Sequence, residues 1–163
     1  MVLMLGMVFA AGKVSAQVKI GYINLSQLVQ SMPETKAIQE QVNAYSKQFL
    51  DVLTGMNNDF KAKAADYEKN RAAMTDAVRT AKEAELSDMQ KRLQEYSNDS
   101  QQKVEAKSAE LAKPLFDRMR AAVKQVAKEK GYNYVINTAQ TDLVVSPPGD
   151  DLTTDVKAKL GIK

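Results

Sequence analysis

The chain has 163 residues and a formal net charge of +3, with 44% apolar and 26% charged residues, a balance that folds rather than staying disordered. It contains no Cys, no His and no Trp, which excludes disulfides, Cys/His zinc sites and catalysis by a thiol or imidazole. So small a positive excess does not point to nucleic acid.

Residues 1–12, MVLMLGMVFAAG, are apolar and uncharged, and Lys13-Val14-Ser15-Ala16 follows. The run falls short of the roughly 20 residues that span a bilayer. Val14 and Ala16 stand three and one residues before a cut at Ala16/Gln17, the pattern signal peptidase reads. Residues 1–16 are therefore predicted to be a secretory leader. Export without disulfides points to the bacterial periplasm. Gly6 and Gly12-Lys13 mimic a phosphate loop, but the spacing has one residue too many and Val14 stands where Ser or Thr is needed.

Val18-Lys19-Ile20-Gly21-Tyr22-Ile23-Asn24 alternates apolar and polar residues and reads as a strand. Ser26 or Asn24 can cap a short helix, Leu25–Met32, and Pro33 follows. Near the other end Gly131 closes a helix, and Tyr132–Asn137 reads as a second strand. Thr138–Asp142 is expected to turn, Leu143–Ser146 to form a third strand, and Thr153–Leu160 a last helix with Asp150 or Asp151 near its start. Such short strands build a thin core with open edges, so self-association is expected.

Between Pro33 and Pro114 there is one Gly, Gly55, and no Pro. Apolar residues recur from Ile38 through Val42, Tyr45, Phe49, Leu53, Met56, Phe60, Ala64 and Tyr67 to Met74 and Val78, a spacing of about 3.6 that belongs to a nearly straight helix. Leu86, Met89, Leu93, Tyr96, Val104 and Leu111 continue it. Thr75 or Asp76 can restart a helix halfway, at Ala73/Met74, and Pro114 is expected to interrupt or restart the second arm. Two arms of roughly 40 residues, each about 60 Å long, would return the chain to its starting point.

Gly55 is either a tolerated surface glycine or a flex point. Met56, Met74 and Met89, with Phe60, Tyr67 and Tyr96, either pack one arm on the other or offer adaptable contacts to varied apolar partners. From Glu34 to Lys113 there are 13 basic and 14 acidic residues, which argues against a nucleic-acid clamp. The acids are spread along helix faces, so no enzyme, metal or cofactor is implied.

In Lys19-Ile20-Gly21-Tyr22-Ile23-Asn24, Leu28 and Met32-Pro33, together with Lys128-Glu129-Lys130-Gly131-Tyr132-Asn133-Tyr134-Val135-Ile136-Asn137, the chain resembles the Skp/OmpH family of periplasmic chaperones for outer-membrane proteins. The resemblance spans Gln17–Lys163. It implies an α+β, mostly helical fold in which a helical hairpin arm, 34–113, projects from a body formed by 17–33 and 114–163. It further implies a homotrimer joined through the body, with Ile20, Tyr22, Ile23, Tyr134, Val135, Ile136 and Val144 as candidate contacts. Unfolded outer-membrane proteins would be held between the arms without ATP, with Met56, Phe60, Tyr67, Met74, Met89 and Tyr96 as candidate contacts and Gly55 as a hinge. Lipopolysaccharide or a membrane surface is a further implied partner, with Lys91-Arg92 the candidate. The arms of the best-known members are markedly basic, whereas these are near neutral. The competing expectation is a non-enzymatic coiled-coil scaffold or tether of the bacterial envelope.

Overall fold

The computed structural model describes residues 18–162; the predicted leader and its cut after Ala16 lie outside them. In chain order the elements are β1 (Ile20–Ile23), α1 (Leu25–Ser31), α2 (Pro33–Asn70), α3 (Asp76–Glu129), β2 (Tyr134–Asn137) and α4 (Thr153–Leu160). The carboxamide of Asn24, not Ser26, caps α1 by accepting the Gln27 N–H at 2.9 Å. Met32 is extended, and Pro33 opens α2 where its missing N–H leaves no donor unpaired. The Thr35 hydroxyl donates to the Val29 carbonyl at 2.6 Å and ties the two helices at their junction.

The hairpin turns where the sequence places it. A 3₁₀ turn, Arg71–Ala73, leads through an extended Met74 to Thr75, whose hydroxyl accepts the Val78 N–H at 3.4 Å. Only right-handed and extended backbone is used here, so the tip needs no glycine.

Pro114 does not interrupt the second arm, contrary to expectation. α3 runs unbroken for 54 residues from tip to body. Pro114 lies on the exposed side of the helix, where water can satisfy the Glu110 carbonyl that lacks a donor. On a neighbouring face Leu115, Met119, Ala122 and Val126 are buried and hold the helix in place. Arm and body therefore share one continuous element.

β1 and β2 pair in parallel, Ile20 beside Tyr134 through Ile23 beside Asn137. A parallel pair needs a long crossover, and here the whole hairpin serves as that crossover. The expected third strand, Leu143–Ser146, is absent: Asp151 forms a single parallel bridge to Tyr22 on the free side of β1, and Leu152 N–H reaches the Tyr22 carbonyl at 3.0 Å. Val144 and Val145 are left 98% and 79% exposed. Their β-branched side chains favour a strand, but the chain gives that strand no partner.

The core sits under one face of the pair. Ile23, Leu28, Met119, Leu152 and Val156 are almost wholly enclosed, with Ala122, Val126 and Tyr132 beside them. α3 ends in a reversal at Gly131, φ +74°, where Tyr132 N–H reaches back to the Ala127 carbonyl at 2.8 Å. Tyr132, expected to begin a strand, instead puts its ring into the core, and β2 starts at Tyr134. Gly21 makes room for that ring, since a Cβ there would meet Tyr132 Cδ1 at 3.0 Å and the Asp150 carbonyl at 3.2 Å.

Candidate functional site

Two surfaces could carry function, and the first is the outer face of the β pair. The parallel register sets Gly21, Ile23 and Val135 toward the core and Ile20, Tyr22, Tyr134 and Ile136 away from it. Tyr134 is 64% exposed and Ile20 is also exposed, while Tyr22 and Ile136 are half-buried. Ile23, also a candidate subunit contact, is 1% exposed within its own chain. Exposed Val144 lies close by, because the Tyr22 hydroxyl donates to the Ser146 carbonyl at 3.4 Å. Parallel strands are normally covered on both faces; among the described residues this apolar face is only partly covered, with Ile20 and Tyr134 left in water.

Around the body, opposite charges fix the helices to each other. Arg118 of α3 meets Glu34 of α2, Lys130 meets Asp155, and Lys159 Nζ lies 2.7 Å from Glu129 Oε1. Hydrogen bonding from Arg118 holds the Glu34 carboxyl below its ordinary value, and Lys159 does the same for Glu129. The Tyr132 hydroxyl lies 3.0 Å from Asp150 Oδ1, and burial followed by that hydrogen bond pushes its pKa up.

The second surface is the arm. All six predicted client-contact residues, Met56, Phe60, Tyr67, Met74, Met89 and Tyr96, lie along the hairpin and are at least half-buried. Phe49 and Tyr96 approach across the seam with ring centroids 6.3 Å apart. Met56 and Met89 line a small hollow together with Asp59, Arg92 and Leu93. Tyr67 is buried near the tip, where its hydroxyl hydrogen-bonds Glu83, which raises its pKa. Lys63 pairs with Glu85 one turn away and lowers that carboxyl's pKa by hydrogen bonding. Salt links thus fasten the hairpin at base and tip, and half-covered apolar residues line its middle.

Gly55 lies in unbroken α2 with open space where a Cβ would stand. Of the candidate pair Lys91-Arg92, Lys91 faces Glu95 at 3.9 Å and Arg92 borders the Met56 hollow.

Sequence reasoning missed the most exposed apolar side chains of the arm, Leu50 and Val52. Both lie one position off the repeating stripe, beside Phe49 and Leu53. A search for bulky residues adjacent to the stripe, rather than on it, would have found them.

A long two-helix arm set on a small α/β body, whose parallel strand pair leaves Ile20 and Tyr134 exposed among the described residues, defines a hairpin-arm protein. Residues 19–160 match the family described as Outer membrane protein (OmpH-like), and the chain belongs to that family. It is 28% identical to the Chaperone protein Skp of Yersinia enterocolitica, covering 93% of this chain and 92% of that one. It is 30% identical to Outer membrane protein 26 of Haemophilus influenzae, covering 94% and 88%. The fold is shared with an OmpH-like chain of known crystal structure from Caulobacter crescentus, at a TM-score of 0.65 and 18% identity over 89% of this chain and 85% of that one.

Proposed function

We propose that this protein is an ATP-independent holdase of the bacterial periplasm, which shields unfolded outer-membrane β-barrel proteins between its arms. The observation that carries the reading is the contrast built into the arm: long paired helices keep apolar side chains half in water while the body has a closed core. A polypeptide awaiting insertion exposes alternate apolar residues that aggregate in water. Many shallow apolar contacts can cover such a chain without reading its sequence, and each is weak enough to permit release. Relatives named as chaperones along 93% of the chain support the same conclusion. No chemistry on the bound chain is part of this role.

The working unit is a homotrimer. Ile20, Tyr22, Tyr134 and Ile136 supply the apolar face that meets its neighbours, and the unpaired segment around Val144 and Val145 completes the contact. Three hairpins then enclose one cavity, which residues 17–33 and 114–163 support from below. Met56, Phe60, Tyr67, Met74, Met89 and Tyr96 form the adaptable lining that becomes available as the seam loosens, and Gly55 is where α2 flexes. An anionic surface such as lipopolysaccharide is a secondary partner, met by Lys91 and Arg92.

The test uses several unrelated barrel proteins diluted from denaturant without nucleotide. Suppressed aggregation and soluble complexes are expected near one assembly per client. Unchanged aggregation of every client would favour a tether that binds one dedicated partner.

A further inference from the structure

The two broad sides of the hairpin differ in charge. On one side Leu50, Leu53 and Leu93 form the floor of an open groove of about 430 Å³, edged by Thr54 and Asn57 of α2 and by Gln90 and Gln94 of α3. The groove continues toward the body past Phe49 and Ser97 to Val104. No charged residue lines its outer half, and the only charged residue along its continuation is Glu105 at the far end. On the other side, Asp59 and Arg92 border the Met56 and Met89 hollow.

The sequence creates this difference. From Gln48 to Asn58 the only charged residue is Asp51, and Lys47 holds it at 2.8 Å. On α3, positions 90, 93, 94, 97, 101 and 104 fall on one helical face and none is charged, although Lys91, Arg92 and Glu95 intervene. Leu50 is 57% exposed in the floor of a surface whose surroundings are strongly charged.

We infer that this uncharged groove is the face of the arm that receives clients, and that its occupant is an extended, uncharged segment with apolar residues at alternate positions, a membrane strand before insertion. The inference rests on the holdase reading and assigns the first docking of a client to one side of the arm, ahead of the seam residues that line the cavity once the seam loosens. The leucines match the apolar positions of such a segment. The amides of Asn57 and Gln90 can each donate and accept, and Gln94, whose Nε2 already donates to Asn98 Oδ1 at 3.0 Å, keeps its oxygen as an acceptor, so the edges suit the unpaired N–H and C=O groups of an extended backbone whatever its sequence. From Ser46 to Asn57 the groove is about 16 Å long at 1.5 Å per helical residue, the length of about five residues of strand. A charged occupant would lose hydration here and find no opposite charge.

The test compares two charge insertions in the full mature protein. Leu50→Lys with Thr54→Lys charges the groove, while Val52→Lys charges an exposed apolar site, 46% exposed, elsewhere on the same helix. Helix content by circular dichroism and mass by light scattering verify that both variants stay folded and assembled. Retention of a fluorescently labelled unfolded barrel protein should fall about tenfold for the double variant and less than twofold, about the size of a surface effect, for Val52→Lys. A synthetic peptide copying one membrane strand should compete for the wild-type arm, and an amphipathic helical peptide of equal mass should not. Equal losses from the two variants, unchanged retention, or better competition by the helical peptide would overturn the assignment. A fall in assembled mass for the groove variant would also overturn it, by making the groove a contact between copies. If the wild type retains no client at all, the holdase reading fails and the groove assignment with it.

Discussion

The body and the arm of this chain use apolar residues in opposite ways. In the body, short elements from both ends of the sequence enclose Ile23, Leu28, Met119, Leu152 and Val156 almost completely. In the arm, the helices are many times longer than β1 or α1, yet only Val42, Tyr67 and Ser100 are buried along the seam before α3 reaches the body at Leu115. Close packing fixes one arrangement and is damaged by small changes, whereas a half-covered seam tolerates movement and leaves surface to share. The proposed holdase needs this contrast, a body that keeps one arrangement and an arm that can adjust.

Core truncation should separate the two regions most strongly. At fixed protein concentration, Leu28→Ala should lower stability to urea by about 2–5 kcal/mol, while Phe60→Ala in the arm should cost about 1 kcal/mol. Equal losses would mean the seam is a packed core and would break the comparison. Next in size is Gly55→Ala, which replaces a helical glycine in open space and should stabilise the arm by up to about 1 kcal/mol. Hydrogen exchange in the middle of α2 should slow correspondingly; unchanged exchange there would remove Gly55 as a point of flexing.

The smallest effect concerns the salt links at base and tip. Hydrogen bonding from Arg118 and from Lys63 depresses the carboxyls of Glu34 and Glu85 below the ordinary value of 4.5. A depressed folded value means that this stabilisation is complete above about pH 4.5 and is lost as the pH falls below it. The melting temperature should therefore decline slightly more on acidification in the wild type than in a variant carrying Glu34→Gln and Glu85→Gln, and salt should narrow the difference. Identical acid profiles would mean that the pairs do not hold the ends of the arm.

The arms were legible in the sequence because 3.6-residue periodicity persists through many turns, and the tip because Thr75 supplies a helix cap where the stripe pauses. Pro114 was not legible as a helix-interior residue. Its local cost is real, but burial of Leu115 and Met119 on the body-facing side overrides it, and that burial is a tertiary fact. Leu143–Ser146 has the side chains of a strand, yet strand propensity does not say whether a partner exists. Tyr132 was placed in β2 because its neighbours alternate; the space that Gly21 leaves for its ring appears only once both ends of the chain meet. The candidate client residues were selected by side-chain type along the stripe; the exposure of Leu50, just outside it, is a property of the packed hairpin that side-chain type does not carry.

The most direct test of the account is the mass of the mature protein in solution, measured by sedimentation equilibrium, first alone and then with one unfolded barrel protein and no nucleotide. Three copies alone, and three copies plus one soluble client, are the predicted masses. A single-chain mass in both samples, with the client lost to precipitate, would contradict a hub that gathers arms around an unfolded guest.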